Sequence, residues 1–295
     1  MEKTMLNKLP VPTFRWLGVN GVEHEIKKYE TKNVSVSADK DIIRNDVTES
    51  SKFTIDAQNG ETSEVVQYIK SSGEISLATE INVHNGAKVR LVQVFENETG
   101  AVSEVAAKVD ENAVFELVQV YLGGKKTVSE IKTELAGRSA AFTADIGYRL
   151  TGEDKLDINL IAEHFGKKST SEITVNGVLE DTAEKTFKGT IDFKTGAKAA
   201  KGGEKENVLL LDSRVKNRTV PLILCAEEDV EGSHGASIGK LDENHIFYMK
   251  SRGISEEKIY ELAARSRLMQ VISKIGDDQT KARISETLQW GEEDE

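Results

Sequence analysis

The sequence predicts a mainly β protein, a solenoid of stacked β rungs over residues 71–240 followed by an α-helical domain over 241–295. Three observations predict it. Val83 to Phe95 (VHNGAKVRLVQVF) aligns without a gap with Val109 to Tyr121 (VDENAVFELVQVY), six of thirteen positions being identical. No apolar pattern of helix length occurs between about residues 75 and 240, and Pro221 is the one proline after Thr13. Helix-cap signals gather after residue 241.

The repeat pairs Val83 with Val109, Ala87 with Ala113, and Leu91 through Val94 with Leu117 through Val120, all at one constant offset. Gly86 falls opposite Asn112, two residue types that tolerate a left-handed turn. Each unit reads as a strand, a turn and a second β-rich strand, and a fixed period of this length signals a stacked architecture. Ile173 to Val178, Ile191 to Phe193 and Val208 to Leu211 continue the character. An antiparallel sandwich built from hairpins is the alternative. Residues 1–70 carry no firm pattern: an extended arm leads from Leu9 to Trp16, Tyr29 to Asn59 is polar, and Ser63 to Lys70 fits strand or helix.

In the last segment, Asp242 caps a short helix running through Arg252, and Gly253 ends it. Ser255 caps a second helix, with Glu256 and Glu257 placed to complement its dipole. Ile259, Leu262, Met269, Ile272 and Ile275 form its apolar stripe, and a third helix runs from Gln279 to Trp290. These helices are expected to cover the raw end of the stack, and to offer a docking platform for another protein.

Composition narrows the function. The 295 residues include 39 basic and 50 acidic side chains, net −11, which argues against nucleic-acid binding. Gly123 to Thr127 (GGKKT) resembles the end of a phosphate loop but lacks the first glycine at the required spacing, so ATP hydrolysis is not expected. The G-x-S-x-G, H-E-x-x-H and dinucleotide fingerprints are missing as well, and no enzymatic activity is expected. A β-helical polysaccharide enzyme would need export and an acidic cleft. The chain start has no secretory apolar core, and the run from Thr219 to Ala226 is far short of a membrane span, so a cytoplasmic protein is expected. The lone Cys225 rules out a disulfide within the chain and a four-thiolate zinc site. Cys225 reads as a small buried hydrophobe, or with His234 as a soft-metal pair. A two-fold dimer would bring two of each together.

The C-terminal half carries a specific resemblance. NVLLLDSR from Asn207, TVP at Thr219 to Pro221, EEDVEGSHGASIGKLDEN from Glu227 to Asn244 and IFYMKSRGIS from Ile246 to Ser255 resemble the core of the SufB/SufD family. Upstream, Glu163-His164 and Ser171 to Phe193 resemble earlier rungs of that family. Its members are scaffold subunits of the SUF iron–sulfur cluster assembly machinery, and this chain resembles a compact, SufD-like one. The resemblance implies a right-handed parallel β-helix and a helical domain that docks SufC, an ABC-type ATPase. It also implies pairing through the last rungs, as a homodimer or a SufB/SufD-type heterodimer, with a transient iron–sulfur cluster at the junction. His234 matches the functional histidine of the SufD branch. On this basis Cys225 and His234 are candidate cluster ligands, and Glu227 and Glu228 are weaker ligands for incoming iron. Arg252, Gly253 and Ile254, with Ile259 and Tyr260 on the following helix, are the matching ATPase-docking residues. The chain departs from the pattern at Gly232, where the SufD branch often has cysteine. It also departs at Val215 and Gly235, where SufB-branch functional residues fall. A partner or regulator of the ATPase without cluster chemistry is the second expectation.

Overall fold

The computed structural model describes residues 2–13, 15–26, 32–37 and 42–289. An antiparallel pair, β1 (Glu2–Leu6) and β2 (Val22–Ile26), precedes the solenoid. The solenoid starts with β3 (Lys32–Ser37), β4 (Ile42–Val47), β5 (Ser51–Ala57) and β6 (Thr62–Ile69). It continues through β7 (Ile75–Val83), β8 (Lys88–Phe95), β9 (Ala101–Val109), β10 (Val114–Tyr121) and β11 (Thr127–Leu135). Then come β12 (Ala141–Leu150), β13 (Lys155–His164), β14 (Thr170–Leu179) and β15 (Glu184–Phe193). The last strands are β16 (Ala200–Leu210), β17 (Lys216–Cys225) and β18 (Val230–Gly239). Three helices follow, α1 (Glu243–Ser251), α2 (Glu256–Ile272) and α3 (Asp278–Thr287).

Odd strands from β3 to β17 form one eight-stranded parallel sheet, and even strands from β4 to β18 form the other. Successive strands thus alternate between two facing sheets, giving about seven turns of a parallel solenoid. The antiparallel sandwich is excluded. The repeat seen in the sequence is one such turn: Leu91, Val92, Gln93 and Val94 pair in register with Leu117, Val118, Gln119 and Val120. Strands of the solenoid begin well before residue 71. Ser63 to Lys70 lies mainly in β6, and the polar stretch before Asn59 supplies β3, β4 and β5. Short rungs hide them: one turn runs only from Lys32 to Ser51 or from Ile42 to Glu64, whereas a later one runs from Lys88 to Val114.

Like residues stack rung on rung inside. Phe95 and Tyr121 stack with ring centres 4.6 Å apart, and Phe115 and Phe142 at 5.4 Å. Gln67, Gln93 and Gln119 are fully buried. Each upper amide nitrogen donates to the oxygen below at 2.8 and 2.7 Å, a ladder that satisfies polar groups along the stack. The odd-to-even turns form a column of left-handed residues: Gly60, Gly86, Asn112, Ser139, Lys168 and Ala199. In each, the N–H donates to a carbonyl of the next turn, at 2.6–3.1 Å. A type of turn that favours glycine or asparagine is thus repeated with serine, lysine and alanine, because every copy gains a hydrogen bond.

The helices do not cover the end of the stack. Val66, Tyr68, Val92, Val94, Val118 and Val120 make the outer row of the even sheet apolar, and Leu268, Val271, Ile272, Ile275 and Ile284 pack on it. Gly147 lets α2 approach: a Cβ there would lie 3.2 Å from Val271. Of the expected α2 stripe, Ile259 and Ile272 are buried, whereas Met269 points outward and Leu268 and Val271 take the inner positions. The far end is fastened to the first rungs. Arg44 donates to both carboxylate oxygens of Asp277, and Glu64 accepts the N–H groups of Gly276 and Asp277. The helix caps are as expected: Asp242 on α1 and Ser255 on α2. The third helix ends at Thr287, and Trp290 lies outside the described residues. At the other terminus, Asn7 and Leu9 are buried; Asn7 bonds Asp157, and its carbonyl accepts from the buried Lys188.

Candidate functional site

With the helices on the side of the solenoid, its C-terminal end is open among the described residues. β17 and β18 are the last strands of their sheets, and nearly all of β18 is exposed. An unpaired parallel edge leaves backbone N–H and C=O groups without partners, which soluble proteins normally cover.

Register shows which side chains face the mouth. Thr219, Pro221, Ile223 and Cys225 of β17 stand over Phe187, Gly189, Ile191 and Phe193 of β15. Of these lower residues, Phe187, Ile191 and Phe193 belong to the interior core. Gly232, His234, Ala236 and Ile238 of β18 stand over Gly202, Glu204, Glu206 and Val208 of β16. Cys225 and His234 therefore lie on the inner rows of the two facing sheets in one terminal rung, and both are exposed. The reading of Cys225 as a buried hydrophobe is corrected: it has the inward orientation of a core residue, but there is no further rung above it. His234 lies within strand β18. At Gly232 a Cβ would meet Ile223 at 2.9 Å, so isoleucine takes the space a side chain at that position would use.

Glu227 and Glu228 occupy the turn between β17 and β18. The Glu227 carboxylate accepts the N–H groups of Gly196 and Glu228 at 3.1 Å, and these backbone donors hold it below the usual carboxylate range. It caps the turn. Glu228 is exposed. Val215 lies in the turn before β17, half-buried against the core. Among the described residues no three His, Cys, Asp or Glu side chains converge as a metal site.

One rung below the mouth is a polar floor. Lys185 and Glu206 are wholly buried and ion-paired. Thr219 donates to Glu206 at 2.6 Å, linking this pair to the terminal rung. Burial pulls Lys185 below the ordinary lysine value. Glu204, directly under His234, is pushed up to about 7 by burial and by the charge of Glu206. Sequence reading missed this group, and the one available signal was charged residues at inward positions of β15 and β16.

Of the expected docking residues, Ile259 is buried at 3% exposure. Arg252 stacks on Tyr248, its guanidinium 5.3 Å from the ring centre, and Gly253 takes the left-handed conformation that ends α1. Ile254 is half-buried, and the Tyr260 hydroxyl donates to Glu256 at 3.1 Å. α1 itself buries no residue and presents Phe247 at 76% and Tyr248 at 58% exposure. A short helix between two cap signals reads as a connector, which is why its aromatic pair was not singled out.

No helix among the described residues is long and apolar enough to cross a membrane. Comparison with known proteins agrees with the geometry. The family described as "SUF system FeS cluster assembly, SufBD core domain" matches residues 41–266. The iron-sulfur cluster assembly protein SufD of Bacillus subtilis is 28% identical over 166 residues, 56% of this chain and 35% of that protein. A SufBD family protein of Mycobacterium leprae is 25% identical over 205 residues, covering 66% and 23%. One from Staphylococcus saprophyticus is 29% identical over 191 residues, covering 63% and 41%. The matches thus span less than half the length of each of these relatives. The family match takes in the solenoid from β4 to its open last rung, and on that ground the chain belongs to the SufB/SufD family of iron–sulfur cluster assembly proteins.

Proposed function

We propose that this chain is a non-catalytic scaffold subunit of cytoplasmic SUF-type cluster assembly. It pairs through the open end of the solenoid, with an identical chain or a second SufB/SufD-type subunit, and couples to a SufC-like ABC ATPase through its helices. The observation that carries this reading is the uncovered terminal rung, with two free sheet edges and an inward-facing thiol and imidazole. A partner rung laid across that mouth satisfies the edge groups and brings a second set of donors toward Cys225 and His234. The nascent cluster is the cargo of that junction. Thiolate and imidazole suit iron in such a cluster, whereas Glu227 is engaged in its turn and contributes less. On the ATPase side, Phe247 and Tyr248 on α1, with Arg252, Gly253, Ile254 and Tyr260 around the α1–α2 corner, form the gripping surface. Closure of the ATPase pulls this corner, which continues directly from β18, and opens the junction.

Anaerobic reconstitution with iron and sulfide tests the cluster role. Cys225→Ala and His234→Ala are each expected to lower the cluster absorbance several-fold, with the fold unchanged because both side chains are exposed. Unchanged yields in both would remove these residues from the site. A second reading, an ATPase partner without cluster chemistry, is favoured by Gly232 and by the engagement of Glu227. It predicts ATPase binding with no iron retained.

A further inference from the structure

The GGKKT stretch from Gly123 to Thr127 has no part in the assembly reading, yet its Lys125 and Lys126 line a groove on the opposite edge of the solenoid from the turn column. This groove, about 900 Å³, runs across the even-to-odd turns at 122–126, 151–154, 180–183 and 211–215. Its volume is that of a small-molecule site. Five cations line it, Lys125, Lys126, Lys155, Arg214 and Lys216, against three carboxylates, in a chain whose net charge is −11. Arg214 is itself held by both carboxylate oxygens of Asp212, at 3.0 and 2.7 Å, which leaves the lysines as the available cations.

Two features separate the groove from a solvated basic patch. Lys155 and Lys216 both lie on Glu184, at 3.3 and 3.0 Å, so that carboxylate is over-compensated. Lys125 and Lys126 are exposed and form no ion pair among the described residues. The loop that carries them is also short of partners: the four successive N–H groups of Gly123, Gly124, Lys125 and Lys126 meet no acceptor among the described residues. Gly123 and Gly124 have φ of +106° and +111°, which only glycine adopts readily. Consecutive free N–H groups next to lysines make an anion-binding concavity.

We propose that this groove binds an oligophosphate, with the first phosphate on the 123–126 loop and the following ones toward Lys155 and Lys216. The spread of cations over several rungs favours a chain of linked phosphates over a single one. The site lacks the remainder of a phosphate loop, so binding without hydrolysis is proposed. It stands independently of the assembly role.

Calorimetric titration of the full chain at low ionic strength, with phosphate, pyrophosphate and tripolyphosphate, is the test. Affinity should rise with each added phosphate. Lys125→Glu/Lys126→Glu should weaken tripolyphosphate at least tenfold, while Lys167→Glu/Lys198→Glu, the same charge change on the opposite edge, should leave it within about twofold. A parallel ATP titration separates the sources: affinity equal to tripolyphosphate means that the phosphate chain alone is read, and tighter binding means a nucleotide. Tripolyphosphate binding no tighter than phosphate, or equal losses in the two double variants, would overturn the proposal.

Discussion

Lys185→Met is expected to destabilise the chain by about 3–5 kcal/mol, because it leaves the Glu206 carboxylate buried without its cation. Both side chains are wholly buried one rung beneath the open mouth, and the Lys185 ammonium also donates to the Arg218 carbonyl at 3.3 Å and to Thr219 at 3.2 Å. After the substitution Glu206 keeps the Thr219 hydroxyl but faces Glu204 with no positive charge between them. A buried ion pair contributes little net stability over an apolar pair, so the double variant Lys185→Met/Glu206→Leu should recover most of the loss. Urea unfolding at matched protein concentration measures both. A single variant within about 1 kcal/mol of the wild type would show that the lumen is hydrated and the pair is not buried as described.

Glu204 gives the second large effect, and it depends on pH. Its carboxyl is pushed up to about 7, first by burial and then by the charge of Glu206. The folded state therefore holds a proton that the unfolded chain has already lost between the ordinary carboxylate range and about pH 7. Where the native state binds more protons, stability falls as pH rises. Relative to an uncharged residue at this site, the fold should lose about 3 kcal/mol as pH climbs through that window, with no further loss above it. Glu204→Gln should match the wild type near pH 4 and exceed its stability at pH 8. Parallel pH–stability curves for the two proteins would refute the account. Glu204 lies directly under His234, one rung below the mouth.

Much of this arrangement was legible in the sequence. The stack declared itself where consecutive rungs have equal length, as in the turns that carry Thr62 to Lys88 and Lys88 to Val114. It faded where the turns lengthen, from Ala141 to Thr170 and again from Thr170 to Lys201, and where the first rungs are short. Equal spacing is a property of turns, and turns absorb insertions without disturbing the ladders. Gly86 and Asn112 marked the turn column; Lys168 and Ala199 did not, because the hydrogen bond to the next turn, not residue type, holds them left-handed. Caps are local chemistry, so Asp242, Gly253 and Ser255 were readable directly. The position of the helices was not. It follows from an apolar outer row, Val92, Val94, Val118 and Val120, that became visible only once strand register separated inner from outer faces. Cys225 and His234 were identifiable as residues, but their exposure comes from standing on the final rung, a consequence of where the solenoid stops.

If the open end is an interface between scaffold chains, the mass in solution shows it most directly. Ile238 is 42% exposed on the inner row of β18, over the core residue Val208, so a lysine there charges the mouth without disturbing packed core. Sedimentation equilibrium of the chain, alone and with a co-expressed SufB/SufD-type partner, should give a two-chain particle that Ile238→Lys reduces to single chains. A wild-type protein that stays a single chain in both settings, or a two-chain particle that Ile238→Lys leaves intact, would contradict it.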